Sequence, residues 1–203
     1  MRRIEFLFDF ASPNSYIALA KLKEMSRRSA GNLEIIFSPI LLGGIFKLTS
    51  DAPVPVGSHE FNYMDNNLKR LSTLLGIGFH FSRDRFPVNS LRALRGFYFA
   101  DNFGKAQEYV DGVFRACWAE NEDISEISVL HGLVRALDLD PQKFDSFIER
   151  AETKTKLRED TQKAYDRGVF GAPTFFIDGQ MYWGTPEVLW FLEATVLADI
   201  PHG

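Results

Sequence analysis

The chain has 203 residues, 45% hydrophobic and 25% charged, the proportions of a soluble globular protein with a sizeable core. A net charge of −4 gives no electrostatic case for nucleic acid or anionic lipid, and a single cysteine, Cys117, excludes an intrachain disulfide framework and a cysteine-rich metal site. No apolar stretch approaches the ~18 residues of a membrane span, and the four histidines show no metal-ligand spacing, so no metal is expected.

In chain order, residues 4–10 are apolar and read as a buried strand, interrupted by Asp9. The run is too short for a secretory signal, so a cytoplasmic protein is expected. Ser12-Pro13 has the form of a helix cap followed by proline at the first helical position. Tyr16, Leu19, Leu22 and Met25 then recur at helical spacing, and Gly31-Asn32 ends the helix. Residues 33–37 are a second strand, which should lie parallel to the first. Pro53, Pro55 and Gly57 mark a loop, and residues 61–75, 90–103, 105–118, 125–137, 141–151 and 155–167 read as helices. Residues 174–177 and 180–183 are strands joined by the turn signal Asp178-Gly179, and Thr185-Pro186-Glu187 opens a last helix through about residue 197. A β-α-β unit at one end and a β-β-α unit at the other make the thioredoxin pattern. The expected fold class is α/β, a thioredoxin-like fold with an inserted all-helical domain. The thioredoxin-like domain would comprise residues 1–50 and 168–203, and the helical insertion residues 51–167.

The strand-to-helix junction carries Ser12-Pro13-Asn14-Ser15. Thioredoxin-like oxidoreductases carry Cys-x-x-Cys there, and here both sulfur positions are serine. A helix N-terminus favours negative charge and presents free N–H groups. The junction suits an anion, yet its own residues cannot form a disulfide. That points to a thiolate supplied by another molecule. Taken alone, Ser12 is also what an ordinary helix cap requires, and Ser15 reads as structural. The 19 phenylalanines are compatible with an apolar pocket. Cys117 reads as a small buried apolar residue.

Four blocks carry a wider resemblance: residues 8–16 (Phe-Asp-Phe-Ala-Ser-Pro-Asn-Ser-Tyr), residues 39–47 (Pro-Ile-Leu-Leu-Gly-Gly-Ile-Phe-Lys), residues 118–124 (Trp-Ala-Glu-Asn-Glu-Asp-Ile) and residues 170–174 (Phe-Gly-Ala-Pro-Thr). In these blocks and their order the chain resembles the kappa-class glutathione transferases and the 2-hydroxychromene-2-carboxylate isomerases, a branch of the DsbA-like families. The resemblance implies glutathione bound between the two parts, with the Ser12 hydroxyl favouring its thiolate, and a homodimer. It also implies a cis proline at Pro173 that presents the backbone of Ala172 to the tripeptide. The implied reaction is glutathione-dependent cis–trans isomerisation of a small conjugated carbonyl compound from aromatic degradation. Alternatives are a kappa-type transferase that keeps the adduct, and a non-catalytic thioredoxin-fold peptide-binding module.

Candidate glutathione-binding residues are Ser12, Pro13, Asn14, Lys47, Asp51, Ala172, Pro173, Thr185, Pro186 and Glu187, with Ser12 catalytic. Asn89 and Arg92 are candidates for the substrate cleft, though capping and surface charge also explain them. The chain departs from its relatives at two places. Asp51 stands where they carry Asn, and Thr185-Pro186 where they carry Ser-Asp or Asn-Asp. An anion at Asp51 must point away from glutathione, pair with a cation such as Lys47, or weaken binding. Glu187 is a candidate to meet the glutamyl ammonium in place of the missing acid.

Overall fold

In the computed structural model, residues Arg2–Phe8 form β1, the second strand of a four-stranded sheet ordered β2-β1-β3-β4. The structure describes residues 1–29, 31–184 and 187–195. Strand β2 is Leu33–Pro39, β3 is Thr174–Ile177 and β4 is Gln180–Trp183. β1 pairs in parallel with β2 and antiparallel with β3, and β3 with β4 form the expected hairpin. Its turn residues Asp178 and Gly179 have φ of 50° and 78°, the left-handed conformation that tight hairpins need.

The apolar run of β1 is continuous because both faces are covered. Ile4, Phe6 and Phe8 enter the main core, whereas Leu7 packs on the other face with Ile40, Ile45, Ala164 and Val169. Helix α1 (Pro13–Arg28) buries Tyr16, Ile17, Leu19, Leu22 and Met25. Helix α2 (Leu42–Thr49) was not anticipated. It has two glycines in its first turn and a leucine at its cap, so it lacks the local signals of a helix start. It is held from outside: the Leu42 N–H donates to Asp9 Oδ2 (2.7 Å) and the Leu41 N–H to Thr161 Oγ1 (2.9 Å).

The central helices are α3 (His59–Leu75), α4 (Leu91–Asp101), α5 (Ala106–Trp118), α6 (Ile127–Ala136), α7 (Pro141–Ile148) and α8 (Ala151–Asp166), with a 3-10 turn at Arg83–Arg85. Ser58 caps α3 and Asp140 caps α7, each accepting from a backbone N–H of the first turn. Helix α8 falls within the stretch expected as the insertion, yet it packs on α2 and β2, against the sheet. Phenylalanines weld the sheet to the helices and fill the core. Phe8 lies 6.0 Å from Phe97 of α4 and 5.7 Å from Phe114 of α5 between ring centroids, and Phe10 lies 4.9 Å from Phe114.

Helix α9 (Glu187–Thr195) closes on α1. The buried Lys21 ammonium meets Glu193 at 2.7 Å and Glu24 at 3.1 Å, which compensates its desolvation. No helix among the described residues is long and apolar enough to cross a membrane.

Candidate active site at the start of the first helix

Ser12 caps α1 in extended conformation (φ −94°, ψ 110°), with Pro13 at the first helical position. Its Oγ accepts from the Ser15 N–H at 3.2 Å and donates to the Ala172 carbonyl at 3.0 Å. The Ala172–Pro173 bond is cis, as expected; so is Phe86–Pro87, which the sequence did not suggest. One hydroxyl and one backbone carbonyl therefore stand together at a helix N-terminus. Ser15 is fully buried, and its Oγ has no hydrogen-bond partner among the described residues.

Further bonds hold the chain on either side of Ser12. The Trp118 indole N–H donates to the Phe10 carbonyl at 2.8 Å. The Tyr16 hydroxyl donates to the Gly78 carbonyl at 2.8 Å. The Asp9 carboxylate accepts from the Ala11 N–H at 2.9 Å and from the Ser90 hydroxyl. Asp9 is 1% exposed, and burial pushes its carboxyl above the usual carboxylate range, against the pull of the Ser90, Ala11 and Leu42 hydrogen bonds. In the sequence, Asp9 shows only as an interruption of an apolar run. A charged residue in the middle of an apolar strand end was the signal to follow.

The remaining candidates scatter. Pro13 is buried and Asn14 half-buried beside Ser12. Lys47 is exposed in the last turn of α2, with no ion-pair partner among the described residues. Asp51 is also exposed, but its carboxylate accepts from the neighbouring Ala52 N–H at 2.8 Å instead of pairing with Lys47. Glu187 accepts from Asn67 of α3 at 2.8 Å, so it is engaged within the protein. Asn89 accepts from the Leu91 N–H, which is a capping role, and exposed Arg92 lies near Glu149, whose carboxyl is held low chiefly by the Lys154 hydrogen bond and only last by Arg92. Neither contact joins Asn89 or Arg92 to Ser12. Thr185 and Pro186 lie outside the described residues.

Cys117 is no alternative nucleophile. It is 6% exposed, and burial pushes its thiol up to about 12. A groove of about 760 Å³ runs along β2 and α8, away from Ser12. Its charges answer one another, Arg3 with Glu34, Arg167 with Glu5 and Lys156 with Asp160, which leaves little to recognise a ligand. Ser12 is the candidate position for chemistry. A proton donor at a helix N-terminus stabilises an anion, and the adjoining carbonyl is an acceptor for an amide.

Comparison with known proteins agrees with this architecture. The chain is 28% identical over 200 residues to a 2-hydroxychromene-2-carboxylate isomerase of Pseudomonas putida, covering 95% of this chain and 93% of that one. It is 28% identical over 194 residues to glutathione S-transferase kappa 1 of Homo sapiens, covering 89% and 84%. A solved structure of a 2-hydroxychromene-2-carboxylate isomerase superposes with a TM-score of 0.85 at 28% identity, covering 97% of this chain and 95% of the other. The family model for the DSBA-like thioredoxin domain matches residues 3–195, and the chain belongs to that family.

Proposed function

We propose that the protein is a glutathione-dependent cis–trans isomerase of the 2-hydroxychromene-2-carboxylate type. The observation that carries this reading is the Ser12 hydroxyl against the Ala172 carbonyl at a helix N-terminus, in a chain whose one thiol is buried and protonated. That donor set fits a cysteinyl ligand: a hydroxyl for the sulfur and a backbone carbonyl for the peptide. The similarity to named isomerases over nearly the whole chain supports the same reading.

Glutathione supplies a nucleophilic sulfur for reversible addition to a conjugated double bond, which frees that bond to change geometry. The protein's own groups do the rest. The Ser12 hydroxyl turns its proton from Ala172 to the sulfur and favours the ionised form without a covalent bond. The α1 N-terminus adds a second favourable field. A neutral hydroxyl stabilises the thiolate less than a lysine would, so the sulfur keeps more of its nucleophilicity. The freed Ala172 carbonyl would accept from the peptide N–H, and Pro13 and Asn14 would help hold the cysteinyl part. Lys47 and Asp51, at and just beyond the C-terminal end of α2, would meet a carboxylate of the tripeptide with opposite signs of charge. The proposal extends to a homodimer, measurable by light scattering.

A kappa-type transferase is the second reading, because the similarity to the human kappa enzyme is of the same size. Incubation with glutathione and 2-hydroxychromene-2-carboxylate tests both. The isomerised product with glutathione recovered supports the first reading, and an accumulating adduct supports the second. Peptide binding indifferent to glutathione, with no turnover, would overturn both in favour of a binding module.

A further inference from the structure

Among the described residues, Asp9 is the buried carboxylate beside the site, and the chemistry above does not use it. Its side chain gathers three donors: the Ala11 N–H in the loop before α1, the Leu42 N–H at the first position of α2, and the Ser90 hydroxyl at the cap of α4. Its backbone carbonyl also accepts from the Ser12 N–H at 3.0 Å. Two details show that these bonds displace local alternatives. Helix α2 has no side-chain cap of its own, and Asp9 supplies it from another element. Ser90 stands at the cap position of α4 yet makes no capping bond, its hydroxyl being diverted to Asp9.

We propose that Asp9 is a positioning residue of the Ser12 site. One buried carboxylate fixes the Ser12 turn relative to α2 and to the helical wall that begins at Ser90. The inference rests on the thiolate reading given above. Three donors converging on one group call for an acceptor without protons of its own, which a carboxylate is and an amide is not. A reaction between a sulfur held at Ser12 and an electrophile held by the helical part depends on the spacing of those two parts. A displacement of about 1 Å there costs on the order of a hundredfold in rate.

The test uses the full chain with Ser90→Ala, Ser90→Thr and Asp9→Asn. Glutathione affinity is read by calorimetry. Turnover is read with glutathione and 2-hydroxychromene-2-carboxylate, or with 1-chloro-2,4-dinitrobenzene if the enzyme is a transferase. Exchange of the Ala11 and Leu42 amide protons is read by NMR. Ser90→Ala is expected to keep glutathione affinity within about twofold and to lose about tenfold in kcat, with Ser90→Thr restoring most of the rate. Asp9→Asn is expected to speed exchange of at least one of the two amides about tenfold or more, because its amide group meets an N–H with an N–H. Full kcat in Ser90→Ala overturns the proposal. So does equal loss of affinity and kcat in that variant, or unchanged protection of both amides in a folded Asp9→Asn. A wild type that binds no millimolar glutathione overturns the thiolate reading itself and this proposal with it.

Discussion

The Ser12 hydroxyl donates to the Ala172 carbonyl at 3.0 Å, so two loops 160 residues apart in the chain share one hydrogen bond at the mouth of the site. The bond keeps a donor and an acceptor in register, and in the proposed function a cysteinyl ligand would separate them by engaging each. The first expectations follow from that exchange.

Ser12→Ala removes the donor to the bound sulfur. A hydrogen bond to a charged group is worth roughly 1.5–3 kcal/mol, or about one to two pKa units. The thiol of bound glutathione should titrate higher by that amount, and turnover near neutral pH should fall about ten- to a hundredfold. Ultraviolet titration of the complex measures the first quantity. An unchanged pKa with full activity would reduce Ser12 to a helix cap.

Asp51→Asn should tighten glutathione binding, but only modestly. The carboxylate is exposed and turned onto the Ala52 N–H. A like charge at ~4 Å in water costs about 1 kcal/mol, and salt screens it further. The gain is therefore about fivefold at most. Calorimetry on both proteins at low and physiological salt decides it; weaker binding by the variant would contradict the charge argument.

Gly96→Ala should destabilise the fold without touching the site. A Cβ at Gly96 would overlap the Tyr109 hydroxyl and come within 2.6 Å of the Phe144 ring. Both neighbours are fully buried and have nowhere to move. Overpacking of this kind costs about 3 kcal/mol, which lowers the thermal midpoint by about 6–12 °C in a chain of this size. A midpoint within about 2 °C of wild type would show that the helices separate more easily than the packing implies.

Glu5 gives a pH signature remote from the site. Burial works to raise its carboxyl, but the Arg167 and Ser38 hydrogen bonds outweigh that and hold it below the usual range. A depressed carboxylate contributes stability above its unfolded value near ~4.3, and the contribution is lost as pH falls through the folded value. Arg167 is 43% exposed on its side chain, so the pair is worth no more than about 1 kcal/mol. Arg167→Gln should be less stable than wild type at pH 7, and the gap should close by about pH 3. Urea unfolding at both values checks it; a gap that widens in acid would reverse the sign.

Much of the architecture was legible because its signals are local. Ser12-Pro13 and Asp140-Pro141 announce helix starts through their own caps. Asp178-Gly179 announces the hairpin through two left-handed residues. Four blocks of similarity point to Ser12 and to the cis Ala172–Pro173 bond that lies against it. These features depend on residues a few positions apart, or on a resemblance that already encodes the fold.

What the sequence left open depends on groups that meet only after folding. Helix α2 forms on Asp9 and Thr161, 33 and 120 residues away from the N–H groups they hold, so no window around Leu42 contains the reason for it. The phenylalanines fill the junction of sheet and helices, because rings from β1, α4 and α5 meet there. Glu187 is engaged by Asn67 of α3, a contact set by how α9 lies against the helical part. Asp9 is the clearest case. Its identity and its place in an apolar run were plain from the start, but its role depends on three donors from three elements converging on one carboxylate. Sequence by itself determines local conformation through caps, turns and periodicity; the partners of a buried charge are chosen by the packing that excludes water from it.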